Sequence, residues 1–142
     1  MPHVCIIVIL TLLLSIPGWV CFSAFMHELS HLVISWVVGF KIKEYRLWSV
    51  PWGKKGFVDV LIPKGTRGYF LKRGLMHLAG PITHTFLIFV VVLGLIFSRS
   101  AALNIFWFTG FAVNSYFLVM NVVPENSDGR HFLDMLKGKS MQ

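Results

Sequence analysis

Three long stretches of the chain contain no Lys or Arg: 4–40, 74–98 and 100–123. Apolar residues dominate each. A helix rising about 1.5 Å per residue needs about 20 of them to cross a bilayer, so each stretch is long enough to span. The first is too long for one simple crossing. Pro17-Gly18 is its natural break, because proline removes a helical hydrogen bond. The expected elements are a leading segment over about 4–16 and a main helix over about 16–40. The leader either continues the same tilted helix or folds back as a separate short pass. Two further helices are expected over 74–97 and 102–123, with the turn between them at Arg99-Ser100.

The segment 41–63 differs in kind. Lys41-Ile42-Lys43 alternates, residues 57–62 (FVDVLI) are rich in strand formers, and residues 51–56 (PWGKKG) have turn chemistry. The pattern predicts a short interfacial β-hairpin, with an irregular loop as the alternative. Trp48 and Trp52 stand where interfacial anchors would. The expected fold is an all-α polytopic membrane protein: a single membrane-embedded core over 1–142, with three core transmembrane helices, a possible extra N-terminal pass, and the hairpin between the first two core helices.

Composition supports this. The 142 residues are 56% hydrophobic and only 13% charged, against about 25% charged in an ordinary soluble domain. A disordered tail, a collagen-like repeat and a disulfide scaffold are excluded. Of the 13 Lys and Arg, nine lie between Lys41 and Arg73, and Arg130, Lys137 and Lys139 lie in the C-terminal tail. The positive-inside rule therefore puts the loop 41–73 and the tail on the cytoplasmic side, with Arg99 outside. The net charge of +7 then reads as a topology signal and a contact with anionic lipid, not as a nucleic-acid surface. A cleaved signal peptide over residues 1–24 is disfavoured by the lack of a positive leading region. Cys5 and Cys21 both fall in apolar sequence and read as filling, with no disulfide and no metal spacing.

Within residues 4–40 the only ionisable groups besides the thiols are His27, Glu28 and His31, which form an HExxH sequence. A charge at mid-bilayer costs at least about 2.5–3.5 kcal/mol, so three such groups within five residues need a reason. On a helix His27 and His31 are one turn apart on one face, where both imidazoles can hold one zinc ion. Glu28 is beside that face, placed to take a proton from a water that the metal activates. The competing explanation is a hydrogen-bonded packing cluster. Two histidines leave a tetrahedral zinc short of a third protein ligand. Glu44 lies among lysines, Asp59 in the expected strand, and Asp134 in an amphipathic tail beside Lys137. Asp128 is the attractive candidate. It lies just past the third helix, and it can reach the metal if the segment 121–129 is irregular and folds inwards, as backbone lining a wet cavity is able to do.

These residues resemble the site-2 protease family of intramembrane zinc metalloproteases. His27-Glu28-Leu29-Ser30-His31 matches the family's HExxH. Ala79-Gly80-Pro81 matches its AGP signature at the start of the next core helix. Asn121-Val122-Val123-Pro124 followed by Asp128-Gly129 resembles its NxxP…DG segment, and Gly39-Phe40-Lys41-Ile42 resembles its exit into a membrane-associated β-segment. The likeness covers roughly residues 20–133, which would make this a minimal catalytic core without accessory domains. The resemblance implies His27, His31 and Asp128 as zinc ligands, Glu28 as general base, and Asn121 as a conformational or substrate-contacting residue. Two departures stand out. His84 replaces the asparagine usual three residues after the AGP proline, and Asn121 and Asp128 are seven apart where eight is common.

His84 is then either a hydrogen-bond donor to a developing oxyanion or a packing histidine. His77 reads as interfacial, and His131 as a spare ligand. The expected function is a zinc endopeptidase that cleaves in or near a transmembrane segment of a membrane-protein substrate, in the cytoplasmic half of the bilayer. The alternative is a non-catalytic zinc-binding membrane protein.

Overall fold

A computed structural model describes residues 2–47, 56–63 and 65–137. The chain forms α1 (Pro2–Val37), β1 (Lys41–Arg46), β2 (Phe57–Leu61), α2 (Tyr69–Phe97), α3 (Ala101–Val122) and α4 (Asp128–Leu136). The first three helices are each long and apolar enough to cross a membrane. The fold is mainly helical with one small sheet, as expected. The turn at 51–55 and the anchors Trp48 and Trp52 lie outside the described residues.

Three boundaries correct the sequence reading. No break occurs at Pro17: α1 is one helix of 36 residues with Pro17 inside it, so the leader is not a separate pass. Proline is tolerated in such helices because neighbouring helices and side chains re-satisfy the freed backbone. At about 54 Å, α1 is longer than a bilayer's hydrocarbon core of about 30 Å. Second, α1 ends at Val37, not near residue 40. Gly39 takes φ 80°, the Gly39 N–H donates to the Trp36 carbonyl, and the Phe40 N–H donates to that of Ser35. This is the helix-ending motif that requires a left-handed residue. Third, α2 begins at Tyr69, not 74, so Ala79-Gly80-Pro81 sits in mid-helix rather than at a helix start.

The strands pair antiparallel, Lys41 opposite Leu61 and Arg46 opposite Phe57, with one extra residue on β1 between Ile42 and Glu44. That bulge lets the short ribbon twist against the end of α1. Helix α2 is central and touches α1, α3 and α4. Of its buried residues, Gly80, His84, Leu87 and Val91 recur at three- to four-residue intervals along one side, while Ala79 and Pro81 widen the buried face around Gly80. Most large apolar residues elsewhere on the three long helices are exposed, as a lipid-facing surface requires. The C-terminal end of α1, the hairpin, the start of α2, the end of α3 and α4 all gather at one end of the bundle. Arg99 lies in the turn between α2 and α3 at the other end.

Candidate metal centre

His27 and His31 are presented by α1 one turn apart, and their rings meet edge to face with centroids 4.7 Å apart. α2 makes room for them. A Cβ on Gly80 would stand 2.2 Å from His27 Cε1, so only glycine lets this imidazole lie against the α2 backbone. His31 is held from the same helix, its Nδ1–H donating to the Met76 carbonyl at 2.9 Å. A neutral imidazole that donates from Nδ1 has its lone pair on Nε2.

Asp128 arrives from the far end of the chain. The irregular segment is shorter than expected, because α3 continues to Val122 and Asp128 is itself the first residue of α4. Ser127 caps that helix, accepting from the Arg130 N–H at 3.4 Å. Its hydroxyl also donates to the Pro124 carbonyl at 2.6 Å, which closes the turn. Gly129 allows α4 to abut α3, since a Cβ there would lie 2.8 Å from the Asn121 carbonyl oxygen. Phe132 anchors α4 on Gly74 of α2, where a Cβ would be 3.2 Å from the ring. The Asp-Gly pair therefore combines a candidate ligand with the close approach that delivers it.

Three donor atoms converge. His27 Nε2 and His31 Nε2 are 3.2 Å apart, His31 Nε2 and Asp128 Oδ2 are 3.1 Å apart, and His27 Nε2 and Asp128 Oδ2 are 3.4 Å apart. Donors at about 2.0–2.1 Å from a tetrahedral zinc would be separated by about 3.3 Å. The triangle fits. Among the described residues this is the group of three that could hold a metal ion. Burial pushes the Asp128 carboxyl up, but hydrogen bonds with His27, His31 and His77 outweigh it and hold the group well below the usual carboxylate range. Such bonds place protons on the facing His27 and His31 nitrogens, and a metal ion would take the place of those protons between the rings and the Asp128 carboxylate.

The remaining expected residues fall into place unevenly. Glu28 lines a cleft of about 480 Å³ together with Ala24, Phe117, Met120 and Asn121. It also borders a second opening of about 210 Å³ next to Phe57 and Val58 of β2. Gly56 packs directly on Glu28, with room for no Cβ. Asn121 lines the larger cleft while its amide donates to the Phe117 carbonyl at 2.8 Å. His84 does not offer a free donor to an oxyanion. It is fully buried, with one ring nitrogen 3.1 Å from Asn114 Oδ1 and the other 3.2 Å from His27 Nδ1.

Asp59 pairs with Lys43 at 3.2 Å on the exposed hairpin, and Asp134 pairs with Arg130 at 3.6 Å rather than with Lys137; neither belongs to the donor triangle. Glu44 is exposed on β1. His131 meets His77 at a tilt of 43° with centroids 5.3 Å apart and lies outside the donor group as well.

The residue that sequence reasoning missed is His77. Its side chain is only 12% exposed, and its Nδ1 is 3.4 Å from Asp128 Oδ1, the carboxylate oxygen outside the donor triangle. Its seven-residue spacing from His84, astride Gly80, was the available signal, because both lie on the face of α2 that meets α1. No protein-family model matches the chain, no curated protein matches it, and no solved structure matches it.

Proposed function

We propose that the protein is an intramembrane zinc endopeptidase, similar in its chemistry to the site-2 proteases, acting on a transmembrane or membrane-adjacent segment of another membrane protein. The observation that carries this reading is the convergence of two imidazole nitrogens and one carboxylate oxygen at 3.1–3.4 Å beside the cleft that Glu28 lines. His27, His31 and Asp128 would hold the metal. A bound zinc ion supplies Lewis acidity, polarising a scissile carbonyl and making a water nucleophilic near neutral pH.

The chain's own residues do the rest. Glu28 accepts a proton from the attacking water and delivers it to the leaving amine. Ala24, Phe117 and Met120 give the larger cleft an apolar wall for substrate side chains, and Asn121 supplies a polar group beside it. Water has two approaches. Pro124, Asn126 and Ser127 edge the larger cleft, and Phe57 and Val58 edge the smaller. With the basic hairpin and tail on the cytoplasmic side, both approaches open towards the cytoplasm.

The Glu28→Gln variant, reconstituted in liposomes with a single-span test substrate, tests the assignment. The expected outcome is loss of cleavage by a factor of about 100 or more with zinc retained, because the amide cannot take the proton. Cleavage at the wild-type rate would overturn the reading. Zinc retention without cleavage by the wild-type protein on any such substrate would favour a non-catalytic zinc-binding protein.

A further inference from the structure

Behind the metal centre a line of hydrogen-bonding groups crosses all three long helices. The Asn114 amide Nδ2–H₂ donates to the Gly110 carbonyl of its own helix at 2.9 Å. Its Oδ1 is therefore the atom facing His84 Nδ1 at 3.1 Å. A carbonyl oxygen only accepts, so His84 Nδ1 carries a proton and donates. His84 Nε2, in a neutral ring, is then a lone pair, and it faces His27 Nδ1 at 3.2 Å. His27 Nδ1 must donate to it, so the lone pair of a neutral His27 is on Nε2, the atom at the donor triangle. His84 and Asn114 are both completely buried, so no water competes for these bonds. Phe117 stacks on the outer face of His84, with rings 5.3 Å apart and nearly parallel, and prevents the imidazole from turning over.

We infer that His84 and Asn114 are positioning residues that lock His27 in the tautomer able to bind metal. The inference rests on the metal assignment of His27 and adds a polarity to it: the direction of every hydrogen bond from α3 through α2 to α1 is fixed by the one amide that has to donate to Gly110. Metal-binding histidines generally donate their other N–H to an acceptor that sets tautomer and orientation, and losing that acceptor typically weakens metal affinity by about 10–100-fold. Here the acceptor is a second histidine, which can serve only because Asn114 occupies its other nitrogen.

The test compares His84→Gln with His84→Leu in the full-length protein in detergent. Glutamine carries an acceptor for His27 and a donor for Asn114, whereas leucine fills similar space with neither. The expected zinc affinity falls about 10–100-fold in His84→Leu and returns to within a few-fold of wild type in His84→Gln. Nitrogen NMR of the metal-free wild type, labelled at histidine, is expected to show His27 protonated at Nδ1, and His84→Leu to show a mixture of tautomers. Wild-type zinc affinity in His84→Leu, failure of His84→Gln to recover, or a His27 without a proton on Nδ1 in the metal-free protein would each overturn the inference while leaving the metal assignment intact. A wild-type protein that takes up no zinc but shows the expected His27 tautomer would overturn the metal assignment instead.

Discussion

The two ends of the helix bundle are joined by opposite kinds of contact. At the end near Arg99, glycines and aromatic rings close the helices on one another. Gly94 of α2 accepts the face of Trp107, and nearer the middle Gly110 of α3 accepts that of Trp19, each with no room for a Cβ. Trp19 finishes the contact by donating to the Phe106 carbonyl at 3.0 Å. At the hairpin end the same small-residue approach is used at Gly80, but what lies against it is His27. Packing between membrane helices comes from close approach of small residues, and the apolar end shows that this bundle can be held that way. The polar end therefore has no need of its histidines and aspartate for cohesion. A cluster of buried polar groups there is a cost to stability, and the proposed metal site would account for it.

Substitutions can break this comparison. The largest separation is expected between Gly80→Ala and Gly94→Ala, which insert the same methyl into the two kinds of contact. Both should lower the unfolding midpoint in detergent, as overpacking typically costs about 1–3 kcal/mol. Only Gly80→Ala should also weaken zinc binding, by about 100-fold, because the displaced group is a ligand. Equal loss of zinc affinity in both would mean that the two ends are one cooperative unit. A middle effect is expected from Ser127→Ala. Loss of an N-cap costs about 1 kcal/mol, and a helix that carries Asp128 on its first turn should transmit that as about a fivefold weaker zinc affinity, readable by competition titration. The smallest effect belongs to Asp59→Asn. Its partner Lys43 is 61% exposed and Asp59 is 49% exposed, so the pair contributes little. Zinc affinity should be unchanged. A marked fall would return Asp59 to the list of ligands.

Legibility in the sequence followed the range of the interaction. The pairing of His27 with His31 is a one-turn relation that helix geometry alone dictates. The three spans follow from length and polarity, because a bilayer admits few other solutions. Asp128 was reachable because a proline and an Asp-Gly pair mark a chain that stops and turns back, although its place at a helix start was not visible. Pro17 misled, since the rule that proline breaks helices is weakened in membranes. The shared face of His77 and His84 was visible in their spacing, but the contact of His77 with Asp128 and the partners of His84 were out of reach. Their roles depend on how α2 is rotated against α1 and α4, and that is set by Gly74, Gly80 and Phe132 together.

The central claim is that His27, His31 and Asp128 form one metal site. The most direct measurement is the zinc content of purified protein by elemental analysis, wild type against Asp128→Ala, with folding of each followed by circular dichroism. Wild type should carry close to one zinc per chain, and Asp128→Ala should remain helical with little or none. A metal-free wild type after zinc loading, or an Asp128→Ala protein that holds as much zinc as wild type, would contradict the account.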